Sequence, residues 1–340
     1  MMTSVPGSGA KAVLLTVASI LTLWGALGTF GRTGGYTDAL FEPDYTILHA
    51  PEDGPLAEAG FQPGDSVVTV EGIPVEELGM YSRWPRSLAR SPGESLNMTV
   101  ERNGELISGE VVFREQPSSI RKMRLGLFVV LLSFLWAGAW AFLTIPSIHA
   151  SRLAAVGLAA GISIPGPSLG TWNGLADHVN VAAEVLFLLL LSRFLLFFPE
   201  PKKMAQSKLW TGVMFSPWII LLGCLVVELI FHPRFYHSFG GYLGLAMLFY
   251  LLSAIVALIH SWARTPKGEV GASGLGWVLA GMGVGLGGIL LWAVDAFLLG
   301  GFDIPGTNWA PILFAVVPIG MALGVRRGSL RAARPSGTPD

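Results

Sequence analysis

Residues 54–75, GPLAEAGFQPGDSVVTVEGIPV, decide how this chain folds, because their composition differs from that of the sequence on either side. The segment combines turn residues with acidic ones, and its short run Ser66–Val70 has the composition of a strand. Long apolar runs lie before and after it. We therefore expect a small β-rich domain inserted into a chain that is otherwise membrane helix.

Composition places the whole chain among membrane proteins. Of its 340 residues, 52% are hydrophobic and only 13% are charged, which is outside the usual range of soluble domains. The formal net charge of −1 gives no basic surface for nucleic acid. Because Cys224 is the single cysteine, the chain can form neither an internal disulfide nor a cysteine-based metal cluster.

Apolar runs long enough to cross a bilayer occur eight times. A hydrocarbon layer about 30 Å thick needs roughly 20 mostly apolar residues in a helix. The third run is interrupted by Pro165 and Pro167, which would kink or end a helix. The eight predicted spans are 12–30, 124–146, 152–172, 179–198, 209–231, 239–262, 272–299 and 307–326.

The orientation follows from the basic residues, which stay near the cytoplasmic ends of spans. An N-terminus in the cytoplasm places nearly all basic residues of the short loops on that side. They are Lys11, Arg152, Lys202, Lys203, Lys208, Arg264, Lys267, Arg326, Arg327, Arg331 and Arg334. The sequence thus predicts a membrane protein with both termini in the cytoplasm.

Four segments organise the chain: an N-terminal helix over 1–30, an extracytoplasmic domain over 31–120, a seven-helix bundle over 121–327 and a basic tail over 328–340. The first is either an anchor or a cleaved signal peptide, since small residues at Ala26 and Gly28 follow its apolar run. The fold class is an α-helical polytopic membrane protein with one inserted α+β domain.

Within the inserted domain, four strands and one helix are predicted. The strands are 45–49, Ser66–Val70, Ser95–Arg102 and 105–113, and the helix is 76–88. Asn103 and Gly104 accept positive φ and suit the two-residue turn between the last two strands.

The domain resembles the bacterial PDZ family. The resemblance is carried by Gly54-Pro55-Leu56-Ala57, Ala59-Gly60, Pro63-Gly64-Asp65 and Gly72-Ile73-Pro74-Val75. It implies binding of peptide or protein C-termini by strand addition at a sheet edge. The candidate ligand residues are Tyr36, Leu40, Phe41, Tyr45, Ile47 and His49. A purely structural or dimerising role is the alternative.

A second resemblance covers nearly the whole chain. The ending of the fourth span, RFLLFFPEP over 193–201, and the end of the last span, from Val317-Pro318-Ile319-Gly320 to Arg326-Arg327, are similar to the membrane half of bacterial quorum-sensing histidine kinases. No kinase motif follows in this sequence. The resemblance implies a sensor of the bacterial inner membrane, either one that acts on a separate cytoplasmic partner such as a histidine kinase or the front part of a longer kinase chain. A homodimer is a further expectation.

Ionisable residues near the outer ends of the spans form a candidate ligand-binding cluster, since such groups are rare in membranes without a function. The members are Asp177, His178, Glu184, Glu228, His232, His237 and Asp295. Small residues in the seventh span predict close helix packing at Gly281, Gly283, Gly285 and Gly287. Neither a metal nor a cofactor is expected.

PDZ-like domains also accompany membrane proteases, but this sequence carries none of the usual protease motifs. The sequence has no His-Glu-x-x-His motif, no histidine follows Ser273 to act as its base, and Asp295 is the only aspartate within a predicted span. These observations favour a non-enzymatic sensory or adaptor protein. A PDZ scaffold or chaperone for exported proteins and a small-molecule transporter are the alternatives.

Overall fold

A computed structural model describes residues 7–30, 35, 37, 40–41, 45–75, 90–115, 118–164, 173–231, 236–298 and 307–332. The chain is mostly helical and carries one small antiparallel sheet. The sheet and the helices are separate parts of the sequence, as the composition predicts.

The sheet contains four antiparallel strands in the order β4-β3-β5-β6. They are β3 (Ser66–Val70), β4 (Ile73–Pro74), β5 (Ser95–Arg102) and β6 (Glu105–Val112). A smaller hairpin pairs β1 (Leu40–Phe41) with β2 (Ile47–His49), and Thr46 bridges to Ser66. The predicted bounds of β3 and β5 are confirmed, while the predicted helix over 76–88 lies outside the described residues.

The turn between β5 and β6 is the one that the sequence predicts. Asn103 and Gly104 have φ values of 53° and 86°, so both occupy the left-handed region. Two successive positive φ values define the type I′ turn, whose twist matches that of the flanking strands. The register of the hairpin is regular from Ser95 opposite Val112 to Arg102 opposite Glu105.

The core of the β domain lies on one face of the sheet. Leu96, Met98 and Val100 of β5 are buried, whereas the residues between them are more exposed, which is the two-residue period of a strand. The short helix α2 (Pro55–Glu58) covers this face, and Leu56 is 2% exposed there. Other core members are Ile47, Phe61, Val67, Val70 and Val111.

Eight further helices make up the rest of the described chain. They are α1 (Ser8–Phe30), α3 (Ser118–Thr144), α4 (Ile148–Ile162), α5 (Asn173–Phe197), α6 (Lys208–Phe231), α7 (Tyr236–Arg264), α8 (Leu275–Leu298) and α9 (Val316–Ala332). A 3-10 segment, Thr307–Ala315, precedes α9.

Six of the described helical stretches are long and apolar enough to cross a membrane, and the other two predicted spans are represented by shorter apolar helices. These are Ser8–Phe30, Arg121–Thr144, Val179–Phe197, Lys208–Val227, Tyr242–Arg264 and Ile312–Ala332. The third predicted span is replaced by α4, which has 15 residues and ends at Ile162, before Pro165 and Pro167. At about 1.5 Å per residue, α4 is too short to cross alone. The seventh contributes the shorter apolar stretch Leu275–Gly288.

The centre of the bundle is the crossing of α3 and α4, where glycines bring the two backbones together. A Cβ at Gly138 would lie 2.7 Å from the carbonyl oxygen of Leu153, so only glycine allows this approach. Helix α1 joins the pair from one side. Its Lys11 Nζ donates to the carbonyl oxygen of Leu143 (3.2 Å), and Trp136 Nε1 donates to Thr22 Oγ1 (3.0 Å).

Candidate functional site

The β domain is fixed by a charged pair beneath the Pro63-Gly64-Asp65 turn. Arg102 donates to both carboxylate oxygens of Asp65, with Nε at 2.6 Å from Oδ1 and Nη2 at 2.7 Å from Oδ2. The backbone N–H of Gln62 donates to Oδ2 (2.8 Å), and Arg102 Nη2 also donates to the carbonyl oxygen of Gly60 (2.8 Å). The guanidinium thus ties the turn to the end of β5.

The Asp65 side chain is only 2% exposed, so its charge depends on these partners. Burial alone would raise the pKa of the carboxyl group. The hydrogen bonds from Arg102 and Gln62, together with the charge of Arg102, outweigh burial and hold the pKa below its ordinary value. Asp65 therefore stabilises the turn as a carboxylate and is not available to an incoming ligand.

The candidate ligand residues of the β domain fall into different environments. Ile47 is fully buried, and its backbone bonds the turn through Gly64 N–H and Asp65 O, both at 2.8 Å. His49 is exposed on the same strand, and Tyr45 adopts a φ of 68° just before it. Leu40 and Phe41 form β1, while Tyr36 lies outside the described residues. Ile47 accordingly belongs to the core rather than to an exposed groove.

The pairing of β2 limits where a bound peptide could add as a further strand. Strand β2 has β1 on one side and the start of β3 on the other, through the bridge from Thr46 to Ser66. The segment 45–49, which contains β2, is thus already paired on both sides. Within the two-stranded hairpin, β1 is the strand with described pairing on one side only.

The structure describes too few side chains of the candidate ligand-binding cluster near the outer ends of the spans to test whether they lie together. Glu184 is half-buried in α5. Asp177 and His178 are also on α5, Glu228 is on α6, His237 is on α7 and Asp295 is on α8, but the described side chains do not include theirs, and His232 lies outside the described residues. The cluster stays a prediction.

The glycines of α8 divide into two faces. Gly281 and Gly285 lie against α9 and its preceding 3-10 segment, where a Cβ at Gly281 would be 3.1 Å from the Val316 carbonyl oxygen. Gly283 and Gly287 have no heavy atom within 4 Å of such a Cβ. A helix turns about 100° per residue, so positions two apart face nearly opposite directions and cannot share one contact.

At the other end of the bundle, Lys202 terminates α5. Its ammonium group donates to the carbonyl oxygens of Leu195 (2.7 Å), Leu196 (3.3 Å) and Phe198 (3.2 Å), which satisfies orphan acceptors at a helix C-terminus. Ser261 of α7 donates to the same Phe198 oxygen at 3.2 Å. Burial lowers the pKa of Lys202 to about 8.

A cavity of about 1660 Å³ opens beside this cap, and sequence reasoning did not find it. It lies between the ends of α5, α7 and α9 and the start of α4, and residues of all four helices line it. The Phe-Pro-Glu-Pro-Lys segment at 198–202 forms part of its wall. That segment was the one signal in the sequence that could have pointed to the cavity, but its composition indicates only the end of a helix.

No protein-family model matches the chain. Two curated proteins with the name "Putative zinc metalloprotease", from Brucella suis biovar 1 and Brucella melitensis biotype 1, are each 38% identical to it over 69 residues. The aligned part is 20% of this chain and 17% of each relative. The chain is thus similar to a small part of these proteins.

The comparison overturns the expectation of a non-enzymatic sensory or adaptor protein, because the relatives are named as proteases. Catalytic motifs in the sequence did not indicate the similarity to these proteases, because a matching stretch of 69 residues need not contain the residues of a catalytic site. The expectation that the protein is not an enzyme was wrong for the same reason.

Zinc, which the names of the relatives imply, does not fit the residues that the structure describes. Zinc sites use three or four histidine, cysteine or carboxylate ligands that converge on one point. Among the described residues no group of three such side chains comes together, and the sequence lacks a His-Glu-x-x-His pair. No chemical step through a metal is therefore assigned to this part of the chain.

Proposed function

We propose that the protein acts in proteolysis at the membrane, and that its β domain binds the polypeptide that is to be cleaved. The 38% identity over 69 residues to the named zinc metalloproteases carries this proposal. The β domain extends from β1 to residue 115, of which the structure describes all but 42–44 and 76–89, and this stretch is similar in length to that match. We take the domain to be the shared part.

The motifs of the β domain support a PDZ fold, which would bind a polypeptide by adding it as a strand. The bound segment would lie beside β1, because β2 is already paired on both sides. The pairing of Asp65 with Arg102 keeps the turn next to β2 rigid, which reduces the entropy lost on binding.

The basic residues at the ends of the helices support an extracytoplasmic location for the domain in a bacterial inner membrane. A binding domain next to the outer membrane surface would meet exported polypeptides or the outer ends of membrane-anchored ones. Their delivery to a cleavage site, rather than the breaking of the bond, is the step that we assign to this domain.

A photo-cross-linking amino acid at Leu40 tests the binding surface in the full-length protein. We expect adducts with exported polypeptides from position 40 of β1. A probe at Leu106, which is 67% exposed on the far edge of the sheet, is the matched control and should give far fewer. Equal yields at the two positions, or no adduct at position 40, would contradict strand addition beside β1.

A comparison of protein N-termini in membrane fractions tests the role in proteolysis. Cells that normally express the protein are compared with a deletion strain and with the deletion strain complemented by the full chain. We expect a defined set of cleaved N-termini to disappear on deletion and to return on complementation. Identical sets of N-termini in all three strains would overturn the proposal.

A further inference from the structure

The cavity at the Lys202 end of the bundle has one apolar side and one charged side. Phe249, Leu252 and Val256 of α7 form much of the apolar wall. Leu252 and Val256 are 52% and 61% exposed, and the exposed surface of α7 continues from them to Leu248 and Ile259. The wall is therefore continuous with a helix surface that faces bilayer hydrocarbon in a membrane protein.

The charges at the mouth of the cavity are mainly positive. Lys203, Arg264 and Arg331 line it together with Lys202, against the two acidic residues Glu200 and Glu269. The three protons of Lys202 are used by carbonyl oxygens, and Arg331 forms an exposed ion pair with Glu269 at 3.2 Å. Lys203 and Arg264 extend the positive charge around the opening, which favours an anionic group there.

Two buried polar atoms beside the cavity have no hydrogen-bond partner within the described part of the chain. They are Nδ1 of His149, at the start of α4, and Nε1 of Trp210, in the first turn of α6. Buried polar groups normally have partners, and an unmet one is unfavourable. The indole nitrogen can only donate, so Trp210 lacks an acceptor among the described residues.

We propose that an anionic phospholipid occupies this cavity, with its acidic headgroup among the basic residues and an acyl chain along α7. Basic pockets between membrane helices suit such headgroups, and the apolar wall suits a chain that extends from the bilayer. A polypeptide would bring backbone groups against this wall without hydrogen-bond partners. This inference concerns a different site from the β domain and is independent of its proposed function.

Lipid retention by the full-length protein in neutral detergent tests the proposal. Phosphatidylglycerol and phosphatidylcholine with the same acyl chains are each added, and bound lipid is counted by native mass spectrometry. We expect phosphatidylglycerol to bind about tenfold more tightly, given the basic residues at the mouth. Equal retention of the two lipids would overturn the proposal.

A matched pair of double variants locates the site. Arg264→Gln with Arg331→Gln removes two positive charges from the cavity mouth, and Arg326→Gln with Arg327→Gln removes two from exposed positions on α9 that do not line it. We expect the first pair to weaken phosphatidylglycerol binding about tenfold and the second to change it less than about twofold. Equal losses would contradict binding in this cavity.

Two further measurements keep the test decisive if a variant is unstable. A photoreactive phosphatidylglycerol bound to the unmodified protein should cross-link to residues 249–264 of α7, and cross-links confined to other helices would overturn the proposal. Inorganic phosphate separates a lipid site from a small-anion site. Binding of phosphate with no preference between the two lipids would show that the cavity recognises only a small anion, and this result would overturn the proposal. Cross-linking of this cavity to synthetic exported peptides instead of lipid would show a polypeptide site and would overturn it as well.

Discussion

The Asp65 carboxylate stabilises the β domain through a small number of direct hydrogen bonds. Its carboxylate receives two hydrogen bonds from Arg102 and one from the Gln62 N–H, in a site that is 2% exposed. Asp65→Asn would leave the guanidinium without its charged partner. We expect this variant to destabilise the domain by about 2–4 kcal/mol. Hydrogen exchange of the β5 amides in the full-length protein measures the change.

The control for this variant is Glu58→Gln, which breaks the surface pair between Glu58 and Arg114. Those side chains are 59% and 47% exposed, so the loss should stay below about 1 kcal/mol. An equal effect of both variants would contradict the role of burial at Asp65.

The lowered pKa of Asp65 also predicts the acid response of the domain. Above about pH 4 the carboxyl group is ionised in both the folded and the unfolded chain, and the full stabilisation by its partners is present. As the pH falls further, the unfolded chain takes up a proton first, and the stabilisation is lost as the pH passes the folded pKa. Asp65→Asn should therefore flatten the pH dependence of β5 amide protection below pH 4.

Lys202 and its neighbour offer a second test at this scale. Lys202→Met removes the ammonium group that caps three carbonyl oxygens at the end of α5, whereas Lys203 is exposed. We expect Lys202→Met to lower the stability of the detergent-solubilised protein by about 1–3 kcal/mol. Lys203→Met should leave the thermal midpoint nearly unchanged, and a similar loss in both would refute the cap.

Local sequence predicts the turn at Asp65 but not its partner. Proline, glycine and aspartate in succession indicate a turn because of their backbone preferences. Arg102 is 37 residues away and meets Asp65 only once β3 and β5 pair. The same holds for Phe198, whose carbonyl oxygen is reached by Ser261 from another helix. Contacts of this kind depend on tertiary structure.

At the scale of helices, the two faces of α8 give a matched pair of substitutions. Gly281 lies against the backbone of Val316 and Gly320, while Gly283 has open space around an added Cβ. Gly281→Leu should separate α8 from α9 and destabilise the protein by about 1–3 kcal/mol, because the contact has no room for a side chain. Gly283→Leu should be tolerated. Thermal unfolding in detergent separates the two, and equal effects would contradict this packing.

The elements show where sequence patterns are informative and where they fail. Alternation and turn residues predicted β3, β5 and the hairpin turn, because these depend on neighbouring residues. Hydropathy located the apolar helices, but it predicted a full span at 152–172, where α4 ends at Ile162 after 15 residues. Small residues every four positions predicted close packing in α8, but the spacing alone gives two pairs and does not tell which one meets a neighbour.

For the whole molecule, the predicted orientation can be measured with single cysteines. Cys224 is replaced by serine, and one cysteine is introduced at exposed Glu105 in the β domain or at exposed Lys203. We expect a membrane-impermeant maleimide to label Glu105→Cys in cells with a permeabilised outer membrane. Lys203→Cys should react only after the inner membrane is lysed. The reverse pattern would place the β domain in the cytoplasm.

The function was the part of the whole molecule that residue patterns predicted least well. Composition predicted an inserted domain, the structure has a small antiparallel sheet in that part of the chain, and the motifs suggested polypeptide binding. The lack of catalytic motifs led to the wrong expectation of a non-enzymatic protein, because the similarity to the named proteases covers only 69 residues. Motifs of catalytic residues do not mark the rest of a protease sequence, so the relation became visible only in the comparison of sequences.

Helix α6 contributes little to the interior of the bundle. Met214, Leu221 and Leu225 are buried, while its other side exposes aliphatic residues such as Ile219 and Val226. Selection on that outer side acts through solubility in hydrocarbon and not through shape, so one aliphatic side chain can replace another there. Among descendants of this gene, residue identities on the outward side of α6 should change quickly while the hydrophobicity of that side stays constant.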